Sequence, residues 1–233
     1  MKHLSGCLIC GAELVYLPVN EMQTCYYCGR SFESNARCAQ GHFVCDLCHS
    51  ADGSDLIEQY CNQTSETDPV EMAITLMHHP SISMHGPEHH FLVPAVLLAA
   101  TDHLYGVENL PVKLKQARKR AEGVRGGSCG TCGNCGAAVG TGIYISLLTG
   151  ATPISKREWQ LSNRMTAESL LTIAEHGGPR CCKRNTYLAL QTAQRFARQF
   201  GVEFPEHGPI RCTFSDMNKE CLKEECPFYP DRG

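Results

Sequence analysis

The stretch Phe91-Leu92-Val93-Pro94-Ala95-Val96-Leu97-Leu98-Ala99-Ala100 is the longest apolar run of the chain. At ten residues it is about half of the roughly 20 needed to cross a bilayer. It reads instead as a buried helix, starting near Pro94 and ending at Tyr105, with Gly106 as its stop. On either side the punctuation is of the same kind. Asp68-Pro69 opens a helix, with Glu71 placed for a capping box; Val70, Ala73, Ile74 and Met77 form one apolar face and Pro80 ends it. A third helix is predicted from Pro111 to Gly123, and a fourth from Cys135 to Gly150. A fifth runs from the Ser155/Glu158 capping box to Gly177-Gly178, with a break near Asn163. A sixth runs from Arg180 to Gly201. No alternating run long enough for a sheet lies outside the first 60 residues.

Cysteine divides this sequence. The chain has 233 residues, 16 of them cysteine, with 42% hydrophobic and 19% charged residues and a formal net charge of −3. That composition excludes a disordered, collagen-like or coiled-coil chain, and the charge gives no pull toward nucleic acid or membrane. Eight cysteines lie in residues 1–61, none in 62–128, and eight in 129–233. The polar stretch from Asn62 to Thr67 is a boundary, giving a zinc-binding module over 1–64 and a helical domain over 65–233. Met1-Lys2-His3-Leu4 leads into Cys7 with no export signal, so a cytoplasmic location is expected. In that reducing compartment cysteines serve as metal thiolates or reactive thiols more often than as disulfides.

In the module, Cys7-Leu8-Ile9-Cys10-Gly11 and Cys25-Tyr26-Tyr27-Cys28-Gly29 are two knuckles, each aiming two thiolates at one tetrahedral ion. Cys38, His42, Cys45 and Cys48 supply a second ligand set. Pairing is either sequential, as in a zinc ribbon, or crossed, as in RING-like modules; spacing alone allows both. A segment this short and poor in large aliphatics needs metal to fold.

In the helical domain, Cys129, Cys132 and Cys135 repeat at three-residue intervals among glycines. The run is like the first three ligands of a ferredoxin site, but Val139 stands where the fourth cysteine would be. Cys181, Cys182, Cys212, Cys221 and Cys226 are the candidates for a remote fourth ligand, and the Cys181-Cys182 pair is the most suggestive. That pair opens a helix beside Lys183 and Arg184, a setting expected to favour thiolate. Cys212, Cys221 and Cys226 either close a third metal site or tie the tail down. Five histidines fall within residues 78–90. His85, Glu88 and His89 match an inverted zinc-protease spacing, but Pro87 breaks the helix that motif requires, so a metal-ligating or anion-binding loop is the better reading. Cys181, Cys182, His85, Glu88 and His89 are the candidate catalytic residues. Gly136, Gly140 and Gly142 read as a close helix–helix contact, and Lys113, Lys115, Arg118, Lys119 and Arg120 as a solvated basic face.

From Phe91 to about Gly201 the order of elements resembles the redox-active cysteine-motif proteins of anaerobic bacteria: an apolar helix, a Gly-rich turn, the Cys135-Gly136-Ala137-Ala138-Val139-Gly140 helix start, then a later cysteine. Over most of 68–229, including Gly178-Pro179-Arg180-Cys181-Cys182-Lys183-Arg184-Asn185, the chain is similar to an uncharacterised Cys-rich domain family of anaerobic prokaryotes, some members of which are joined to methyltransferase domains. The resemblance implies a redox or one-carbon context.

The fold expected is therefore mainly α: a helical domain carrying a cysteine-rich metal centre, preceded by a small zinc-ribbon or treble-clef-like module. The function expected is a metalloprotein with structural zinc and an iron–sulfur centre on Cys129, Cys132, Cys135 and Cys181 or Cys182, acting in electron or sulfur transfer. The alternatives are a zinc-only adaptor that docks a partner, or a zinc-thiolate methyl-transfer enzyme. A redox protein or methyltransferase partner is expected, a small-molecule substrate is compatible, and membrane or nucleic-acid binding is not expected.

Overall fold

A computed structural model describes residues 7–230. Strands β1 (Leu14–Thr24) and β2 (Ser31–Cys38) form an antiparallel hairpin, in register from Leu14 opposite Cys38 to Thr24 opposite Ser31, with a bulge between Tyr16 and Glu21. The regular elements after it are helices: α1 (Asp46–Ser50), α2 (Gly53–Gln63), α3 (Pro69–Met77), α4 (Glu88–Tyr105), α5 (Leu110–Glu122), α6 (Ser128–Thr131), α7 (Gly136–Thr149), α8 (Arg157–Glu175) and α9 (Cys182–Ala197). The architecture is mainly α, with a small two-stranded module in front. Among the described residues, no helix is long and apolar enough to cross a membrane.

Helix α4 is the axis. Every residue from His89 to Thr101 is buried, as expected of a helix that is apolar all round and enclosed on every side. Helices α2, α3, α5, α7 and α9 pack around it, and α8 lies outside against α7 and α9. The helix begins at Glu88, six residues before the predicted start, so Pro94 lies in its interior. Proline there cannot donate to the carbonyl four residues back, which is that of His90. Gly140 of α7 covers that position: a Cβ on it would lie 3.0 Å from the His90 carbonyl oxygen and 2.8 Å from Pro94 Cδ. Gly136 meets the His90 ring in the same way, and Gly142 meets Thr166 and the Ser162 carbonyl of α8. The glycine spacing thus serves close helix contact.

Other elements follow their local signals. Asp68 caps α3 through Val70 N–H (2.8 Å). Gly106 (φ +72°) and Gly150 (φ +70°) stop α4 and α7. Helix α2, unpredicted, is capped by Asp52, which accepts from Ser54 and Asp55 N–H. Helix α8 is unbroken at Asn163, whose amide bonds the Trp159 carbonyl one turn back (2.8 Å). Ser155 forms a turn with Thr152 instead of capping α8. Arg118 is not a free solvated cation: its guanidinium reaches Asp55 (2.6 Å) and Glu58 (3.4 Å), joining α5 to α2. After α9 the tail is irregular and folds back. Phe214 and Phe228 are buried, Phe228 packs on Tyr187 (5.2 Å between ring centroids), and Cys212 N–H bonds the Phe228 carbonyl (2.7 Å).

Candidate metal and thiol sites

The hairpin decides the pairing in the module. Cys7 and Cys10 precede β1 and Cys38 closes β2, so the antiparallel register brings them to one end. Cys25 and Cys28 lie at the turn end, roughly 20 Å away along β2. A bridge between Cys25 and Phe43 then returns the chain, bringing Cys45 and Cys48 to that turn end. Two ligand groups result, Cys7, Cys10, Cys38 and His42, and Cys25, Cys28, Cys45 and Cys48, with all donor atoms of each within 4.8 Å of one another. The pairing is crossed.

Both groups have the geometry of an ion-binding site. Cys10 and Cys38 Sγ are 3.8 Å apart, as are Cys28 and Cys45 Sγ. Cys38 Sγ lies 3.5 Å from His42 Nδ1. A tetrahedral ion with ~2.3 Å bonds to sulfur and ~2.0 Å bonds to nitrogen sets its ligands about 3.8 and 3.5 Å apart. Gly11 (φ +72°) and Gly29 (φ +63°) turn the backbone under the two knuckles. Backbone N–H groups donate to sulfur: Ile9 to Cys7 (3.4 Å), His42 to Cys38 (3.3 Å) and Cys45 to Cys25 (3.4 Å). Against burial, which raises it, N–H bonds from His42 and Gln40 and the thiols Cys7 and Cys10 bring Cys38 down to about 6. Against burial likewise, Arg30 backbone and side chain bring Cys28 down to about 7. Burial pushes Cys7, Cys45 and Cys48 up. Cys38 and Cys28 are thus the thiols readiest to ionise, and Cys7, Cys45 and Cys48 hold their protons more firmly; a bound cation would stabilise all of them as thiolates.

The module is built into the helical body. Tyr27, inside the second knuckle, is buried and meets His79 edge-on (4.9 Å) and Tyr60 (6.5 Å). Cys25, Cys28, Cys45 and Cys48 belong to the same hydrophobic cluster as α2, α3 and α4. Cys61, fully buried on α2 with its pKa pushed up by burial, is a packing residue.

Seven of the eight later cysteines fall on two cavities. Cys129, Cys135 and Cys182 line one, together with His90, Arg180 and Asn185. Asn185 donates to Cys135 Sγ (3.5 Å), and His90 Nδ1 donates to the Val124 carbonyl (3.1 Å). Cys132 is exposed and lies outside that lining, at the end of α6. Cys181 lines the other cavity, with Cys212, Cys221 and Cys226. Adjacent cysteines therefore serve opposite sides, and Cys181 is not brought to Cys129 and Cys135.

Cys181 and Cys182 do sit at the start of α9, Cys181 as its N-cap accepting Arg184 N–H. The expected lowering of their pKa does not occur. Burial pushes Cys181 up and Cys182 up to about 11. The neighbouring cations turn to carbonyls: Lys183 Nζ to Met77 and Ile82 (3.0 Å each), Arg184 to Gly177 (2.7 Å) and Pro179 (3.1 Å).

The histidine segment does not form a protease site. His85 precedes Pro87, outside the helix, and its Nε2 faces Asn218 (3.2 Å) and Glu220 (3.5 Å). Glu88 accepts the Ser83 N–H (2.6 Å). His89 is buried; its Nε2 donates to the Ser83 carbonyl (3.1 Å) and its Nδ1 accepts from Thr186 (3.0 Å). Glu88 and His89 hold the segment 83–89 in place.

A helical body joined to a hairpin with two cysteine-rich groups, each able to hold a metal ion, defines the class of protein. The chain belongs to DUF5714, a family of unknown function, whose model matches residues 57–229. That span begins inside α2, so it covers the helical body and leaves both hairpin sites outside. No curated protein and no solved structure matches the chain.

Proposed function

We propose that the protein is a cytoplasmic metalloprotein of an anaerobe, with structural zinc in both hairpin groups and an iron–sulfur centre in the helical body that takes part in electron or sulfur transfer. The ligands of that centre are Cys129, Cys132, Cys135 and Cys182. The observation that carries the reading is the convergence of Cys129, Cys135 and Cys182, from two separate segments, on one cavity edged by His90 and Arg180. Cys132 sits on a glycine-rich turn, with Gly127 (φ +82°) and Gly133 (φ +62°) on either side, a backbone that swings with little steric cost. When bound, such a cluster supplies one-electron chemistry. The chain supplies thiolates, the Asn185 amide on Cys135, and the Arg180 charge at the rim.

Zinc suits the hairpin because its sulfurs are spaced for one tetrahedral ion. The test is metal and acid-labile sulfide per chain, with a visible spectrum, on protein purified without oxygen. About two zinc, plus iron, sulfide and a band bleached by dithionite, is the expected result. Zinc alone in a colourless protein would overturn the iron–sulfur reading.

One observation favours a second reading, an adaptor that docks a redox protein or methyltransferase. Tyr16, Val19 and Met22 on β1 are 63–70% exposed. Binding of a partner that is lost in a Tyr16→Ser/Met22→Ser variant, with metal content unchanged, would support it.

A further inference from the structure

We propose that Cys181, Cys212, Cys221 and Cys226 ligate a second iron–sulfur cluster, separate from the centre on Cys129, Cys135 and Cys182. The four thiols come from the cap of α9 and from three points of the folded-back tail, and they line one cavity between Tyr187, Phe214 and Phe228.

Three of the four sulfurs already accept a backbone N–H: Cys181 from Arg184, Cys212 from Phe214 and Cys221 from Lys223, each at 3.4 Å. Three sulfurs of the hairpin ion sites carry the same feature at 3.3–3.4 Å. Such bonds favour thiolate over thiol and tune cluster sulfurs.

Charge makes a second, independent argument. Lys183 and Arg184 are 1% and 3% exposed. Their hydrogen bonds go to neutral acceptors: four backbone carbonyls and, for Arg184, the Asn185 amide oxygen. Glu88 acts on Lys183 through space and the Phe214 ring lies 4.7 Å from its Nζ, but neither cation has a bonded anion, and two such buried cations are costly. Four thiolates on an oxidised four-iron cluster of core charge +2 carry a net −2, which balances the two cations beside them.

The spacing argues against a single ion. Among the described residues, no third group of three donors lies within 4.8 Å of one another. These four sulfurs line one cavity without closing to the spacing of a single tetrahedral ion, which leaves a multinuclear cluster as the fit.

The test uses the full chain, reconstituted without oxygen with ferrous iron and sulfide. A Cys212→Ser/Cys226→Ser variant is expected to lose about four iron and four sulfide per chain and to keep its hairpin zinc. A Cys129→Ser/Cys135→Ser variant keeps that iron, whether or not the first centre exists, so the two proposals fail separately. Alkylation mapping of the wild type needs no variant. Cys181, Cys212, Cys221 and Cys226 are expected to be protected together and released together when iron is removed. An unchanged iron count in the folded tail variant, or full-rate alkylation of Cys221 in iron-loaded wild type, would overturn the proposal.

Discussion

Cys181 and Cys182 are consecutive in the chain and line different cavities. Successive residues at a helix start point about 100° apart, so one peptide unit separates two sets of thiols. Arg184 and Asn185 repeat the pattern one turn on, Arg184 lining the cavity of Cys181 and Asn185 that of Cys182.

The two hairpin sites differ in what they support. Cys48 is fully buried and its group is part of the common core, whereas Cys10 is exposed and its group lies outside that core. Cys48→Ser is expected to release one ion and to cost about 3 kcal/mol or more. Cys10→Ser is expected to release the other ion with a smaller loss. Metal content and thermal unfolding of both variants check this.

Gly140→Ala places a methyl group 2.8 Å from Pro94 Cδ and 3.0 Å from the His90 carbonyl. Backbone and a ring cannot yield as a flexible side chain can. The expected cost is about 1–3 kcal/mol, with hairpin metal content unchanged, read by denaturant unfolding at saturating metal.

His89 gives the fold an acid sensitivity. Burial, helped by the nearby Lys183 charge, pushes its pKa down to about 3 from the ordinary 6.5. As pH falls below 6.5 the unfolded chain takes up a proton that folded His89 refuses, so stability falls, by about 1.4 kcal/mol per pH unit. From pH 6.5 to 5 the loss is about 2 kcal/mol. His89→Gln does not titrate and should show a shallower fall over this window. Equal slopes for the two proteins would contradict the assignment.

Cys61 is expected to resist alkylation in the native protein, and Cys61→Ala to leave metal content unchanged. The packing loss should be about 1 kcal/mol. Mass mapping and metal analysis decide the point.

Ligand identity in the hairpin was legible because Cys-x-x-Cys spacing is local chemistry. Pairing was not, because it depends on strand length and register, which place Cys38 beside Leu14. Most helices were legible from Pro and Gly at their ends. The start of α4 is hidden because Pro94 reads as a first-turn residue, whereas in the fold it lies inside the helix with Gly140 of α7 packed against it. Helix α2 was missed because its four buried residues, Leu56, Ile57, Tyr60 and Cys61, are set among polar ones. The thiol pKa at Cys181 and Cys182 was read from neighbours in sequence; desolvation, a property of the whole fold, outweighs them. The convergence of Cys212, Cys221 and Cys226 with Cys181 had no local signal, since the tail returns across more than a dozen residues of irregular chain.

Tyr27 stands between Cys25 and Cys28, two members of one candidate ion group, and lies on His79 and Tyr60. An ion held by Cys25, Cys28, Cys45 and Cys48 would therefore tie the folded population to metal supply. Each tenfold rise in free metal above the dissociation constant deepens the native state by about 1.4 kcal/mol. A change of that size alters cellular abundance several-fold through proteolysis of the unfolded fraction. A cell starved of the ion would lose the helical body along with the hairpin, and so lower the amount of this protein without any regulator acting on its synthesis.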